Sequence, residues 1–149
     1  MRVLASILED AVYIGKNLRY ADSVEIEASR GGPMFIEALV DGFYASSQPM
    51  TFHVDGTPAA MFGIVPTDLD GACRIWLLGT EDIEKASVYF LRNCKWWFER
   101  ITKDYNFIFN FAHKDNELHL KWLRWMGFDI GEAQPDSDFV FVSFSPEDN

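Results

Sequence analysis

Residues 107–130, which read FIFNFAHKDNELHLKWLRWMGFDI, decide the fold of this chain. The first six residues are almost continuously apolar, as in a buried strand, and a polar turn follows them. Leu118, Trp122 and Met126 then recur at helical spacing, which predicts an amphipathic helix. Gly127 stands where the end of a helix favours a residue that can take a positive φ angle. The stretch therefore predicts a strand, a turn and a helix that ends at Gly127.

Composition indicates a globular protein. The 149 residues are 48% hydrophobic and 15% aromatic, so residues 1–149 are expected to fold as one domain with a packed core. The formal net charge is −10 and the pI is about 4.6, which disfavours nucleic-acid binding because phosphates would be repelled. A basic protein partner fits this charge, and so does simple solubility. The sequence shows neither a membrane span nor a signal peptide, so a cytoplasmic location is expected.

Cysteine and histidine spacing gives no metal-binding motif. Cys73 and Cys94 lie in apolar runs, which predicts buried free thiols in a reducing compartment. The three histidines are expected at the surface or partly buried. No Walker loop, dinucleotide fingerprint or nucleophile elbow occurs in the sequence.

The remaining patterns extend the order of elements to β-α-α-β-β-β-α-β-α-β. A capping-box pattern at residues 6–9 predicts a first helix, with a polar continuation through residues 19–25. The Asp-Gly pair at residues 55–56 predicts a hairpin turn. Residues 81–104 predict the longest helix, and residues 139–144 predict a final strand.

This order and the 107–130 stretch resemble the GNAT superfamily of N-acetyltransferases, in which an Asn opens a helix that closes at a Gly-Phe pair. Asn116, Gly127 and Phe128 match that pattern. The resemblance implies an α+β sandwich of GNAT type, with a mixed, mostly antiparallel sheet flanked by helices. It also implies acetyl-CoA as the cofactor.

A narrower resemblance connects separated parts of the chain. The combination is similar to one found in small acetyltransferase-like proteins of tailed bacteriophages, and it comprises Arg19, Asp22, Glu25 and residues 61–63, 76–80, 90–92 and 122–128. Some of those are internal virion proteins. This resemblance implies that the chain acts in the cytoplasm of an infected host or travels in the virion.

In GNAT enzymes the sheet splays between the two strands that correspond here to residues 73–78 and 107–112, and the pantetheine arm of acetyl-CoA lies in the gap. Backbone N–H groups at the end of the first of these strands would polarise the thioester carbonyl. Glu25 and Asp22 border the acceptor side, and one of them would accept the proton of the acceptor amine. The residues that the resemblance implies in cofactor binding are Leu77, Leu78, Gly79, Thr80, Lys85, Asn110 and Asn116.

Simpler explanations exist for the polar residues among these. A local charge pair of Arg19 with Asp22 and Glu25 on a helix face is the simpler explanation for these residues, and helix capping alone accounts for Asn116. Asn110 interrupts an apolar strand, so its side chain is expected to find a backbone partner across the splay.

Two features depart from the GNAT pattern. Glu81, Asp82 and Glu84 place three carboxylates in the helical turn where a pyrophosphate would bind. Like charges about 5 Å apart repel by about 3 kcal/mol at an effective dielectric constant near 20, and Lys85 offsets only part of this repulsion. Leu123 stands where GNAT enzymes often carry a Tyr that protonates the CoA thiolate.

Two hypotheses follow. The first is an acyl-CoA-dependent N-acyltransferase of bacteriophage type, which transfers an acetyl group to a primary amine on a host or virion protein. The alternative is a catalytically inactive protein on a GNAT scaffold that binds a host protein or takes part in virion assembly. The acidic helix start and Leu123 favour the alternative.

Overall fold

The computed structural model describes residues 1–146, which form one seven-stranded sheet with helices on its faces. The strand order across the sheet is β1-β2-β3-β4-β5-β7-β6. The strands are β1 (Arg2–Ala5), β2 (Met50–Val54), β3 (Thr57–Pro66), β4 (Ala72–Gly79), β5 (Phe107–His113), β6 (Asp129–Ile130) and β7 (Phe139–Phe144). The helices are α1 (Leu8–Lys16), α2 (Tyr20–Arg30), α3 (Phe35–Ala45), α4 (Asp82–Lys85), α5 (Ser87–Ile101) and α6 (Glu117–Met126). All neighbouring strands are antiparallel except β4 and β5, so the predicted mixed, mostly antiparallel α+β fold is confirmed.

The first helical region differs from its prediction. The predicted polar continuation of the first helix is a separate helix, α2, because the chain leaves helical geometry after Asn17. Leu18 forms an isolated antiparallel bridge with Thr80, and the Arg19 N–H donates to the Gly79 carbonyl at 2.9 Å. These contacts with the end of β4 interrupt the helix, and no local pattern shows them.

Two other boundaries also differ. The predicted helix over residues 81–104 is divided at Ala86 into the one-turn helix α4 and the longer α5. At the start of α1 the Asp10 carboxylate, rather than Glu9, accepts the Ile7 N–H, while the Ser6 hydroxyl bonds Thr51 at 2.7 Å. The capping box predicted from Ser6 is therefore replaced by a cap one residue further along.

Hydrophobic cores lie on both faces of the sheet. The larger one packs α5 and α6 on one face through Phe62, Phe90, Phe98 and Trp122, and the smaller one packs α1 and α3 on the other. The cysteines are buried free thiols, as predicted, and burial raises the pKa of Cys73 to about 12. Within residues 1–146, each helix is too short or too polar to cross a bilayer.

The turn and helix after β5 follow their prediction closely. Asn116 caps α6 by accepting the His119 N–H, and Gly127 ends the helix with a φ angle of 101°. The Phe128 N–H then returns to the Leu123 carbonyl at 3.0 Å, which satisfies an orphan acceptor of the last turn.

Candidate active site

A gap opens between β4 and β5 at the centre of the sheet. The two strands pair only at Ala72–Phe107, Cys73–Ile108 and Arg74–Phe109. β4 continues to Gly79 and β5 to His113, so their later residues are not paired with each other. The strands therefore separate midway, as the GNAT resemblance implies.

Backbone groups of β4 face this gap. The Ile75 carbonyl accepts a hydrogen bond from the Asn110 side-chain amide at 2.5 Å. Leu77 and Gly79, two and four residues further along the strand, have their N–H and C=O groups on the same side. The Gly79 N–H donates to the Asp22 carboxylate, and the Gly79 carbonyl accepts the Arg19 N–H. Leu77 is left with an N–H and a carbonyl directed into the gap.

A cavity of about 570 Å³ adjoins the gap on the α2 and α3 side. Leu77, Leu78 and Asn110 line it, so the backbone just described is part of its wall. Its other side chains are mainly aromatic or charged: Glu25, Arg30, Asp41, Arg74, Trp76, Phe111, His119 and Phe139.

Five polar side chains meet at the α2 edge of this cavity, and four of them are almost completely buried. Arg19, Asp22, Asn116 and His119 expose at most 5% of their surface, whereas Glu25 is partly exposed. These five side chains form one network that joins the start of α2 to the start of α6. We call this network the polar cluster.

Asp22 is the hub of the polar cluster. Its carboxylate accepts two hydrogen bonds from Arg19, at 3.0 and 3.1 Å, one from the Gly79 N–H at 2.9 Å and one from Asn116 at 2.7 Å. Burial raises the pKa of Asp22, although the Arg19 charge and the Asn116 hydrogen bond oppose that shift. Four donors occupy its acceptor positions, so Asp22 has no position open to a substrate.

Glu25 and His119 form the part of the polar cluster that lines the cavity. Glu25 Oε2 accepts from Asn116 at 2.8 Å and lies 3.4 Å from His119 Nδ1. Burial alone would raise the pKa of Glu25, but the charge and hydrogen bond of His119 outweigh it and lower that pKa. Burial alone would lower the pKa of His119, but Glu25 outweighs it and raises that pKa. The two groups therefore favour a carboxylate–imidazolium pair.

The turn at residues 79–84, where the GNAT resemblance implies a pyrophosphate, does not fit a diphosphate. The N–H groups of Asp82, Ile83 and Glu84 already donate to Thr80 Oγ1, the Thr80 carbonyl and the Glu81 carbonyl. α4 has only four residues, so its helix dipole is small.

Charge near this turn also opposes a diphosphate. Arg19 pairs with Glu84 at 3.2 Å, and the well-exposed Lys85 pairs with Asp82 at 3.4 Å. A second cavity of about 420 Å³ beside Arg19 is lined by three carboxylates and two cations. Its charged lining residues are Arg19, Glu84, Asp115, Glu117 and Lys121.

The structure brings some of the predicted site residues together and separates others. Glu25, Leu77, Leu78 and Asn110 line the cavity, whereas Asp22 and Asn116 lie in the polar cluster. Gly79 bonds Asp22 and Arg19 at the end of the gap. The Thr80 N–H donates to the Ala59 carbonyl of β3, and Lys85 lies on the surface.

His119 is the site residue that sequence reasoning missed. The sequence predicts its position in α6 but places the histidines at or near the surface, whereas His119 is buried and its Nε2 has no hydrogen-bond partner among the described residues. The only sequence signal is its place three residues after the helix cap Asn116. Its partner Glu25 is 94 residues away, beyond the reach of any local pattern.

Comparison with protein-family models and with curated protein sequences finds no match. Solved structures do match. The aminoglycoside acetyltransferase AAC(6')-Ib in complex with ribostamycin and coenzyme A is similar over 97% of this chain and 93% of its own, with a TM-score of 0.67 and 14% identity. A ribosomal-protein-alanine N-acetyltransferase from Brucella melitensis is similar over 97% and 99%, with a TM-score of 0.67 and 9% identity.

A GNAT-family acetyltransferase from Streptococcus pneumoniae is similar over 97% of this chain and 98% of its own, with a TM-score of 0.61 and 10% identity. The chain therefore has the fold of the GNAT acetyltransferases. At these identities the likeness establishes the fold, and the activity has to be argued from the site.

Proposed function

We propose that this protein is an N-acyltransferase that moves an acetyl group from a coenzyme A thioester to a primary amine. The observation that carries the proposal is the end of β4–β5 pairing at Arg74–Phe109, which leaves the Leu77 N–H directed into a gap beside the cavity. The GNAT fold supports it, because two solved structures of AAC(6')-Ib with this fold contain coenzyme A and acetyl-CoA.

The chain's own residues suit this reaction. A bound thioester would supply an activated carbonyl, and the Leu77 N–H would donate to its oxygen as negative charge develops there. The amine nitrogen would form the new N–C bond while the C–S bond breaks, and the coenzyme A sulfur would leave with the electron pair as a thiolate. Glu25 lines the cavity beside His119, and we propose that its carboxylate receives the amine proton.

Asp22 and Asn116 have positioning roles in this proposal. Asp22 holds the Gly79 N–H and has no open acceptor position, so we assign it no proton transfer. Asn116 holds Glu25 in place through its amide group. Asn110 bonds the Ile75 carbonyl at the point where the strands separate, and it would keep the gap open at that point.

The pyrophosphate of the thioester would lie outside the turn at residues 79–84, because that turn has few free donors and an excess of carboxylates. We infer no role for Thr80 or Lys85 in phosphate binding. Such a placement would weaken cofactor affinity relative to a site that uses a helix N-terminus.

We further propose a protein as the acceptor, in the cytoplasm of a phage-infected host or in the virion. Support comes from the sequence resemblance to bacteriophage proteins and from the net charge of −10, which favours a basic protein surface. We also propose that the chain acts as a single domain.

A second candidate function is a non-catalytic scaffold that binds a host or virion protein. One observation favours it: the start of α2 already occupies the end of the gap, where Asp22 and Arg19 bond both backbone groups of Gly79. A thioester arm could reach Leu77 only from the cavity side or after this contact opens.

Transfer assays with acetyl-CoA and amine-bearing peptides, read by mass spectrometry, test the first candidate. Glu25→Gln is expected to lower kcat/KM about a hundredfold, because the variant loses the carboxylate that accepts the amine proton. Glu27→Gln, two residues away and exposed, is the matched control and should retain activity. Calorimetry that shows no acetyl-CoA binding at millimolar concentration would favour the scaffold.

A further inference from the structure

An uncovered aromatic surface lies on the sheet next to the cavity. Phe107, Phe109 and Phe111 alternate along β5 with the core residues Ile108 and Ala112, so the three rings share the opposite face. Phe139 and Phe141 alternate in the same way with Val140 and Val142 along β7. We call these five phenylalanines the aromatic wall.

Four of the five rings of the aromatic wall form a continuous row that is partly exposed to solvent. Phe107 and Phe109 lie 5.7 Å apart, Phe109 and Phe141 6.1 Å, and Phe111 and Phe141 5.3 Å, measured between ring centroids. Phe111 exposes 56% of its surface and Phe141 38%. α1 and α3 pack on the same side of the sheet, but over β3. The wall is therefore an apolar surface that a ligand can cover.

The wall joins the cavity through two of its members. Phe111 and Phe139 line the cavity together with Trp76 on β4. A molecule whose amine reaches the Glu25–His119 pair would thus have an apolar surface beside its remaining atoms. Contact with this surface would favour an acceptor that carries an apolar or aromatic group, because burial of apolar area is favourable.

Arg74 adds a positive charge to the cavity lining beside the aromatic wall. It pairs in register with Phe109 and lines the cavity, and its side chain is exposed. Within residues 1–146 it has no ion pair or hydrogen bond, whereas Arg30 is paired with Asp41 at 2.8 Å. Arg74 therefore lines the cavity with a guanidinium group whose N–H donors are available to bind a carboxylate.

We propose that the acceptor carries an apolar, preferably aromatic group and a carboxylate beside its primary amine. This proposal rests on the proposed acyl transfer and names its acceptor class. The aromatic group packs on the wall at Phe111, the carboxylate binds Arg74, and the amine lies near Leu77 and Glu25. On the protein acceptor proposed above, a peptide segment with neighbouring aromatic and acidic residues carries this chemistry, and a free hydrophobic amino acid carries it in its smallest form.

The spacing along β4 suits this arrangement. Arg74 and Leu77 are three residues apart, which is about 10 Å along a strand. Arg74 and Trp76 project to the cavity side because Cys73, Ile75 and Leu77 point into the α5–α6 core. The long Arg74 side chain shortens the distance to the reacting centre, so a carboxylate close to the amine fits better than a distant one.

Binding measured by calorimetry without thioester tests the acceptor class separately from transfer. The ligands are phenylalanine, phenethylamine, which lacks the carboxylate, and alanine, which lacks the ring. Phenylalanine is expected to bind about tenfold more tightly than either of the others. The amidated tripeptide Phe-Asp-Gly, compared with free phenylalanine, distinguishes a peptide acceptor from an amino-acid acceptor.

Two variants test which residues contact the ring and the carboxylate of the ligand. Phe111→Thr, which replaces the ring by a β-branched side chain suited to a strand, should abolish the preference for phenylalanine over alanine. Arg74→Gln should abolish the preference over phenethylamine. The matched controls are Tyr44→Thr and Arg92→Gln, an exposed aromatic residue and an exposed cation away from the cavity, and both should retain the preferences.

Equal binding of phenylalanine and alanine, or variants without effect, would overturn the acceptor class. Efficient acetylation of hydrophilic polyamines in place of these ligands would also overturn it, and the transferase proposal would then stand. Selective binding of phenylalanine with no acetylation of any amine would instead refute the transfer reaction, and the ligand site would remain.

Discussion

Asn116 connects more partners than any other side chain of the polar cluster. Its amide nitrogen donates to Asp22 at 2.7 Å and to Glu25 at 2.8 Å, and its oxygen accepts from Arg19 and from the His119 N–H. We expect Asn116→Ala to lower the free energy of unfolding by about 3 kcal/mol, because it leaves buried charged groups without partners. Urea unfolding monitored by tryptophan fluorescence measures this change.

Asn93→Ala is the control for that variant, since Asn93 makes a single exposed hydrogen bond to the Tyr89 carbonyl at 2.9 Å. It should lose less than about 1 kcal/mol. Similar losses in the two variants would contradict the network around Asn116.

The Glu25–His119 pair makes stability depend on pH. The pKa of His119 is raised from its ordinary value of 6.5, so its stabilisation is complete below pH 6.5 and is lost as the pH rises through the folded-state pKa. The pKa of Glu25 is lowered from 4.5, so its stabilisation is complete above pH 4.5 and is lost as the pH falls through its folded-state pKa.

The difference in unfolding free energy between the wild type and Glu25→Gln should therefore be largest between about pH 4.5 and 6.5 and smaller on either side. Asp22 and Arg19, which face the same pair, are present in both proteins, so the comparison removes most of their contribution. Denaturant unfolding from pH 4 to 9 measures it, and a difference that stays constant over this range would rule out the ion pair.

Sequence reasoning at the residue scale selects Glu25, Asp22 and Asn116, which the structure places together in the polar cluster, but it does not show their contacts. The GNAT resemblance implies that Glu25 or Asp22 accepts the amine proton, yet the Gly79 N–H, 57 residues away, occupies one of the acceptor positions of Asp22. Local patterns do not identify His119, because its partner Glu25 is 94 residues away in the chain. These roles depend on contacts between distant parts of the chain, which local spacing does not contain.

At the scale of the element, α6 depends on how it ends. Gly127 has a φ angle of 101°, and an added Cβ would lie 3.0 Å from the Phe144 ring. We expect Gly127→Ala to cost about 2 kcal/mol or more, since both the backbone conformation and the ring oppose a side chain. Thermal or urea unfolding measures the loss.

Substitutions at two other glycines separate the cost of the backbone conformation from the cost of the ring contact. Gly31 also has a positive φ angle, 76°, but an added Cβ would meet nothing within 4 Å, so Gly31→Ala should cost about 1 kcal/mol. Gly32 has neither constraint, and Gly32→Ala should change stability by less than about 0.5 kcal/mol. Equal effects of all three substitutions would show that neither constraint acts at Gly127.

Elements with strong local signals were predicted well. The hairpin at residues 55–56 and the helix ending at Gly127 carry their own turn and cap residues. The division of residues 81–104 at Ala86 was not predicted, because apolar periodicity continues through that position. The separate helix α2 was also missed, since the Leu18–Thr80 bridge that precedes it joins distant residues.

At the scale of the whole molecule, the proposed function depends on the separation of β4 from β5. The Trp76 and Leu78 N–H groups face β3, whereas the Leu77 N–H faces the gap, because strand residues alternate in direction. The amide of Leu77 is therefore expected to exchange with solvent deuterium about tenfold faster than those of Trp76 and Leu78. NMR-detected hydrogen exchange resolves the three amides, and added acetyl-CoA should slow Leu77 selectively if a thioester carbonyl accepts its N–H. Equal protection of all three amides in the free protein would mean that β4 is paired along its full length, which would remove the gap that the acyl transfer requires.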